Sequence, residues 1–198
     1  MVRIGLLSVF CFALVSVNAQ EKSLDMKMDF EQYDPPSTLK VGEHHLTRSK
    51  FPFVDIHNHQ VNMNTSDFKD LISKMDALNM GVMVNLSGRG FRSSSDHLEK
   101  SIENINNRYP NRLVVFTNVD FGDIDNPEWT ERTVKQLEAD VKRGAKGLKI
   151  FKNLGLHAKD SKGNRIPIDD PRIDPIWAKC GELGVPVLIH SADPKPFW

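Results

Sequence analysis

The sequence predicts an α/β protein built on a parallel sheet covered by helices. From Phe51 onward, short runs rich in branched aliphatics alternate with longer segments of helical period. The short runs are nearly continuous in apolar character, as strands buried on both faces are. Glycine and proline punctuate the boundaries, with Pro127 and Pro171 near helix starts and Gly144 and Gly184 at helix ends.

Taken in order, residues 51–57 read as the first strand. A helix over 66–78 follows, its Phe68, Leu71, Ile72, Met75 and Leu78 at helical spacing and Thr65 or Ser66 as its cap. Residues 82–86 form the second strand, and 95–109 a helix whose start carries Ser-Asp. The third strand, 113–119, leads to a helix over 127–143, with the proline tolerated in its first turn. Residues 147–151 make the fourth strand, 171–183 a helix capped by Asp169 or Asp170, and 185–190 the fifth strand. The connection between the fourth strand and that helix exceeds the usual two to six residues, roughly. Its Lys162-Gly163-Asn164 tip resembles a hairpin turn, which predicts an excursion over the mouth of the sheet, or a lid. His157 within it reads as a surface loop histidine.

The bulk properties describe one soluble globular domain with a real core: 198 residues, 39% of them hydrophobic, with 26 basic and 26 acidic side chains. That balance leaves no electrostatic footprint for nucleic acid or an anionic membrane. The start differs. Arg3 precedes an apolar run over 4–17, which ends in Val17-Asn18-Ala19. This is the pattern of a secretory signal peptide, residues 1–19, and the run is shorter than the about 20 residues that span a bilayer. The mature protein is then periplasmic or secreted, free of the membrane, and keeps only Cys180, since Cys11 leaves with the signal. Residues 20–50 form a polar leader segment with a Pro35-Pro36 turn and a short strand near 39–41. His44 and His45 in it point to opposite sides of an extended chain, as surface histidines.

Two architectures fit the α/β pattern. A (β/α)8 barrel needs about 250 residues, and from Phe51 there is room for about five βα units, so length favours an open doubly wound sheet. The chemistry at the strand ends favours the barrel. Residues i and i+2 of a strand face one side. Asp55, His57 and His59 therefore share one face of the first strand, with Val54 and Ile56 opposite to pack on helices. Lys149 shares a face with Phe151, and His190 with Leu188, each opposite branched aliphatics. Parallel barrels assemble their sites at that edge. H-x-H spacing alone is weak, with seven histidines in the chain; its place at a strand end gives it weight. His57, His59 and His190 can converge on a divalent ion at about 2.0–2.1 Å, or each can be an interior histidine bonded to a carbonyl.

The segments "VDIHNH", "GAKGLKIFKNLGL" and "VPVLIHSADP" together resemble the metal-dependent amidohydrolase superfamily, nearest the amidohydrolase-related branch that includes aminocarboxymuconate-semialdehyde decarboxylase-like enzymes. The resemblance runs over about residues 51–198. It implies a (β/α)8 TIM barrel, here incomplete, with His57, His59 and His190 as ligands of a divalent metal, zinc first. In some branches a fourth-strand lysine is carboxylated and bridges two metals, and Lys149 falls in that region. An unmodified ammonium has donors only, so a structural or substrate-binding role for Lys149 stands ahead of a ligand role. The family's sixth-strand histidine and eighth-strand aspartate find no positions, and Asp193 is not assigned in their place. The expectation is an N-terminal part of a longer protein, inactive alone, with its catalytic aspartate beyond the chain.

Arg89, between Gly88 and Gly90, is a candidate to hold a substrate carboxylate in a bidentate pair; a solvated loop arginine is the competing reading. Two glycines without a third make no nucleotide fingerprint. Asn118, Asp120 and Asp123 read as turn formers. The first functional reading is a metal-dependent hydrolase of a small-molecule ester, lactone or amide, with room for a homo-oligomer. A metal-dependent non-oxidative decarboxylase uses the same ligands, and a non-catalytic secreted binding module is the third reading.

Overall fold

The computed structural model describes residues 34–42, 45–90 and 94–190. The expected signal peptide, most of the expected leader, His44 and Asp193 lie outside them. The chain divides into two units, Met1–Val41 and Gly42–Trp198. In the first, residues 34–41 are exposed and without regular structure, so no strand forms near 39–41, where Leu39 and Val41 have no apolar cover.

The second unit follows the predicted alternation. β1 (Phe53–Asn58), β2 (Met80–Asn85) and β3 (Leu113–Val115) form one parallel sheet in that order. β4 (Thr117–Asn118), β5 (Leu148–Ile150) and β6 (Val187–Ile189) form another. The predicted third strand is thus split at Phe116, because it changes partner there. Phe116 N donates to Asn85 O of β2 at 2.9 Å, while Thr117 N donates to Gly147 O, beside β5, at 2.8 Å. Gly147 permits this crossing: a Cβ on it would fall 2.5 Å from the Phe116 ring. Parallel strands running in sequence order have no switch point, which separates this arrangement from a doubly wound sheet and matches neighbouring strands of a barrel.

The helices are α1 (Lys69–Leu78), α2 (Ser95–Arg108), α3 (Trp129–Arg143), the single turn α4 (Asn153–Leu156) and α5 (Asp174–Glu182). Alternate strand residues divide the core. Met83, Leu113 and Val115 pack with Phe68, Met75, Leu98, Ile102 and Ile105 of the α1–α2 layer. Leu148 and Ile150 pack with Leu137, Ile176 and Cys180 under α3 and α5. On the opposite face of the strands, Val84, Leu86 and Phe116 make a smaller cluster with Val114 and Leu188 against it. Burial among apolar groups pushes the Cys180 thiol up to about 11, consistent with an inert core residue.

Three local expectations change. Neither Thr65 nor Ser66 caps α1: Phe68 is its N-cap residue, and Asp67 Oδ1 accepts from Lys69 N at 3.1 Å. Asp170 does not cap α5, which begins three residues after Pro171; its carboxylate instead accepts from Arg172 N, Nε and Nη2. Val54 and Ile56 do not pack on helices. They are 52% and 62% exposed, because β1 is the edge of its sheet and α1 packs on β2. The long connection is anchored rather than free. Leu154, Ile166 and Ile173 are sunk in the core, Lys159 and Arg165 form an antiparallel bridge, and Gly163 takes φ 81° at the tip. His157 is exposed in this loop.

Candidate metal centre at the strand ends

The C-terminal edge of the strands gathers most of the polar residues singled out in the sequence. β1 ends irregularly, with its register against β2 shifting between Asp55 and Asn58. Asp55 causes part of that: its Oδ1 accepts from His57 N and its Oδ2 from Asn58 Nδ2, both at 3.0 Å. The Asp55 carboxylate is therefore spent on its own turn. His57 and His59 emerge together, ring centres 5.4 Å apart and nearly perpendicular at 68°.

That separation can be tested against a metal. Two imidazoles bound at about 2.0–2.1 Å to one tetrahedral ion have ring centres about 5 Å apart. The pair fits. Among the described residues, no three His, Cys, Asp or Glu side chains gather closely enough to hold an ion as they stand. His190 follows β6, its backbone N donating to Ile150 O at 3.1 Å. It acts on His59 through charge: burial first, then His57, Lys149 and His190, lower the proton affinity of His59 below that of a free imidazole.

The loop carrying His59 is fixed by side chains the sequence reading passed over. Asn85, fully buried at the end of β2, imitates a peptide group: its Oδ1 accepts from Gln60 N at 2.9 Å and its Nδ2 donates to Gln60 O at 3.1 Å. The same Oδ1 accepts from Ser87 N at 3.0 Å, which brings Ser87 Oγ to 2.8 Å from His59 Nδ1. On α2, His97 places Nδ1 3.0 Å from Gly88 O and Nε2 2.8 Å from Val61 O, spanning the loops after β2 and β1. The signal for Asn85 and Ser87 was present in the sequence: two polar residues flanking Leu86 directly after an apolar run.

Lys149 is 1% exposed, on the face opposite Leu148 and Ile150. Among the described residues its Nζ finds no hydrogen-bond partner, and burial lowers its proton affinity. Phe151, two residues on, lies with its ring centre 5.9 Å from that of His59.

Arg89 is not a solvated loop arginine. It is 4% exposed, its Nη1 is 2.8 Å from Asp140 Oδ2, and its Nη2 donates to Ser95 Oγ at 2.8 Å. The physical reason is Asp140, a carboxylate on the buried stripe of α3 with Trp129, Thr133 and Leu137, which requires a cation inside. Thr117 Oγ1 adds a second donor to the same oxygen at 2.6 Å. Asn118 is likewise no turn former. Buried at the end of β4, it donates from Nδ2 to Leu86 O at 2.9 Å and accepts Arg89 N on Oδ1 at 3.2 Å. Asp120 and Asp123 do serve turns, accepting from Gly122 N and Asn126 Nδ2 respectively.

Parallel strands in sequence order, with paired histidines after the first, are those of an α/β protein in which adjacent strands follow one another as they do in a barrel. The chain belongs to the amidohydrolase family, whose model matches residues 54–197. Among solved structures it is similar to 2,6-dihydroxybenzoate decarboxylase from Rhizobium, with 16% identity and a TM-score of 0.51 over 76% of this chain. The match takes in 52% of that enzyme, so the chain spans about half its length. No curated protein matches the sequence.

Proposed function

We propose that this chain carries the histidine arm of a metal-dependent hydrolase of small-molecule esters, lactones or amides. The observation that supports it best is the His57–His59 pair, set at a distance one ion can bridge and held by Ser87 and the Asn85–Gln60 clasp. His57 and His59 would hold the ion, zinc first, with His190 as the third donor. When bound, such an ion supplies Lewis-acid activation of water and of the scissile carbonyl. The protein's own part is to hold the His59 ring: its lowered proton affinity leaves the lone pair free at lower pH than that of an isolated imidazole.

A second reading, non-oxidative decarboxylation, is favoured by one observation: the amine of Lys149, without a hydrogen-bond partner among the described residues, suits a carboxylated substrate. The similar Rhizobium structure is itself a decarboxylase. Export as a periplasmic or secreted protein, a small-molecule substrate, no nucleic-acid partner and a homo-oligomeric state belong to the same proposal.

Metal content and turnover test it. After dialysis against zinc, wild-type chain should retain the ion, and the His57→Ala, His59→Ala double variant should retain almost none. In the protein that carries this chain, ester, lactone or amide cleavage should disappear with the metal. Equal zinc in both proteins would refute the assignment. Carbon dioxide release from aromatic acids without hydrolysis would move the decarboxylase reading ahead.

A further inference from the structure

The loop that carries His59 is also held from the helix side. His97 lies in the first turn of α2, where Ser94 is the N-cap and its Oγ accepts from His97 N at 3.3 Å. The half-buried ring stands between two loops, with Nδ1 3.0 Å from Gly88 O and Nε2 2.8 Å from Val61 O. A ring protonated on both nitrogens donates to both carbonyls, and a neutral ring to one. In either state it fills the gap: a Cβ on Gly90, which takes φ 64°, would fall 3.1 Å from His97 Cδ2. Two more polar residues continue this stripe of α2 at helical spacing. Ser101 Oγ donates to His97 O at 2.7 Å, and Asn104 Nδ2 donates to Met63 O at 2.8 Å and to Ser66 O at 2.9 Å. The core contact of α2 is made by Leu98, Ile102 and Ile105. His97 and Asn104 instead hold backbone of the loops after β1 and β2.

The two carbonyls that His97 spans flank one contact. Val61 is two residues after His59, and Gly88 directly follows Ser87, whose Oγ is 2.8 Å from His59 Nδ1. From the sheet side, Asn85 grips Gln60. We propose that His97 is a positioning residue for the candidate metal centre: by spanning Val61 O and Gly88 O it sets the separation of the two loops, and with it the contact of His59 with Ser87. The proposal rests on the metal reading above and deepens it, since the protein then orients the His59 ring before an ion binds. A ring fixed in advance loses less freedom on binding, so removing its support lowers affinity without removing a ligand. His97 is itself no ligand; it acts through Ser87 and the backbone on either side of the contact.

Two variants separate the hydrogen bonds of the ring from its packing. His97→Phe keeps a ring against Gly90 without a donor, and His97→Gln keeps a donor without the ring. Ile105→Val, a core change on the same helix, controls for a general loss of stability. The first readout uses the metal-free chain. Imidazole 1H–15N NMR should show His59, identified by its absence in His59→Ala, protonated on Nδ1 in wild type and losing that preference in His97→Phe. The second readout is zinc affinity by competition with a fluorescent chelator. His97→Phe should bind at least about tenfold more weakly than wild type, His97→Gln between the two, and Ile105→Val within about twofold of wild type. Wild-type zinc affinity and an unchanged His59 tautomer in His97→Phe overturn the proposal. So does an equal loss of affinity in Ile105→Val, which would make the role of His97 one of stability alone. If His97→Phe does not fold, His97→Gln gives the same comparison. A wild-type chain that binds no zinc, while the His97 variants still shift the His59 tautomer, refutes the metal reading and upholds the positioning.

Discussion

The Ser87 hydroxyl oxygen lies 2.8 Å from Nδ1 of His59, across the gap between the loops after β2 and β1. With Nδ1–H donating to that oxygen, Nε2 keeps the lone pair and is the nitrogen presented to an ion. A metal-binding histidine is oriented in this way by the partner of its other nitrogen, and such partners are worth about 10–100-fold in metal affinity. Ser87→Ala should therefore weaken zinc binding at least about tenfold while the chain stays folded. Competition with a fluorescent chelator measures it. Unchanged affinity would show that the hydroxyl does not orient the ring.

Arg89 and Asp140 make the opposite kind of contact, a charge pair closed off from water with side-chain exposures of 4% and 0%. Removing one member strands the other. Asp140→Ala should cost about 3–5 kcal/mol of unfolding free energy in urea. Replacing both, as Arg89→Met with Asp140→Leu, should return most of that loss, because apolar pairs of similar volume often serve as well. A double variant as unstable as the single one would mean that the Thr117 and Ser95 contacts to this pair carry the stability.

Gly88 offers a steric prediction. A Cβ built on it falls 2.3 Å from Phe116 O and 2.4 Å from Val115 Cγ1. The first neighbour is backbone held in the sheet, since Gly88 N itself donates to Phe116 O at 3.2 Å. Gly88→Ala should destabilise by at least about 1–3 kcal/mol, the usual cost of overpacking. It should also displace Ser87, so zinc affinity should fall with it. A neutral effect on both would show that the strand end yields readily.

Much of this was legible in the sequence, for reasons that particular residues make plain. The apolar runs around Val84, Val114 and Ile150 and the helical stripe of α3 identify the layers, because burial on two faces leaves a compositional trace. His57 and His59 stand out because imidazoles ending an apolar strand need a reason. What stayed hidden depends on partners far away in the chain. Nothing local distinguishes Arg89 from a solvated loop arginine; its partner Asp140 lies 51 residues on. Asn118 looks like a turn former until Leu86 and Arg89 are brought beside it. The split of the third strand at Phe116 is likewise a property of its two neighbours and not of its own residues.

Acid should loosen the connection between β5 and α5 first. Arg172 donates from Nε to Asp170 Oδ1 at 2.8 Å and from Nη2 to Oδ2 at 2.6 Å, and from Nη1 to Asp125 Oδ1 at 2.5 Å. The guanidinium holds the Asp170 carboxyl below its ordinary value of 3.8. A carboxyl depressed in the folded state binds fewer protons there than in the unfolded chain. Its stabilising contribution is therefore complete above the unfolded value and is lost as pH falls through the folded one. Asp170→Asn should lower the melting temperature at pH 7, and the gap to wild type should narrow steadily below about pH 4. Arg172→Met should do the same, with a larger effect because it also releases Asp125. A melting-temperature gap that stays constant from pH 7 to pH 3, measured by circular dichroism, would show that the pair does not couple protonation to folding.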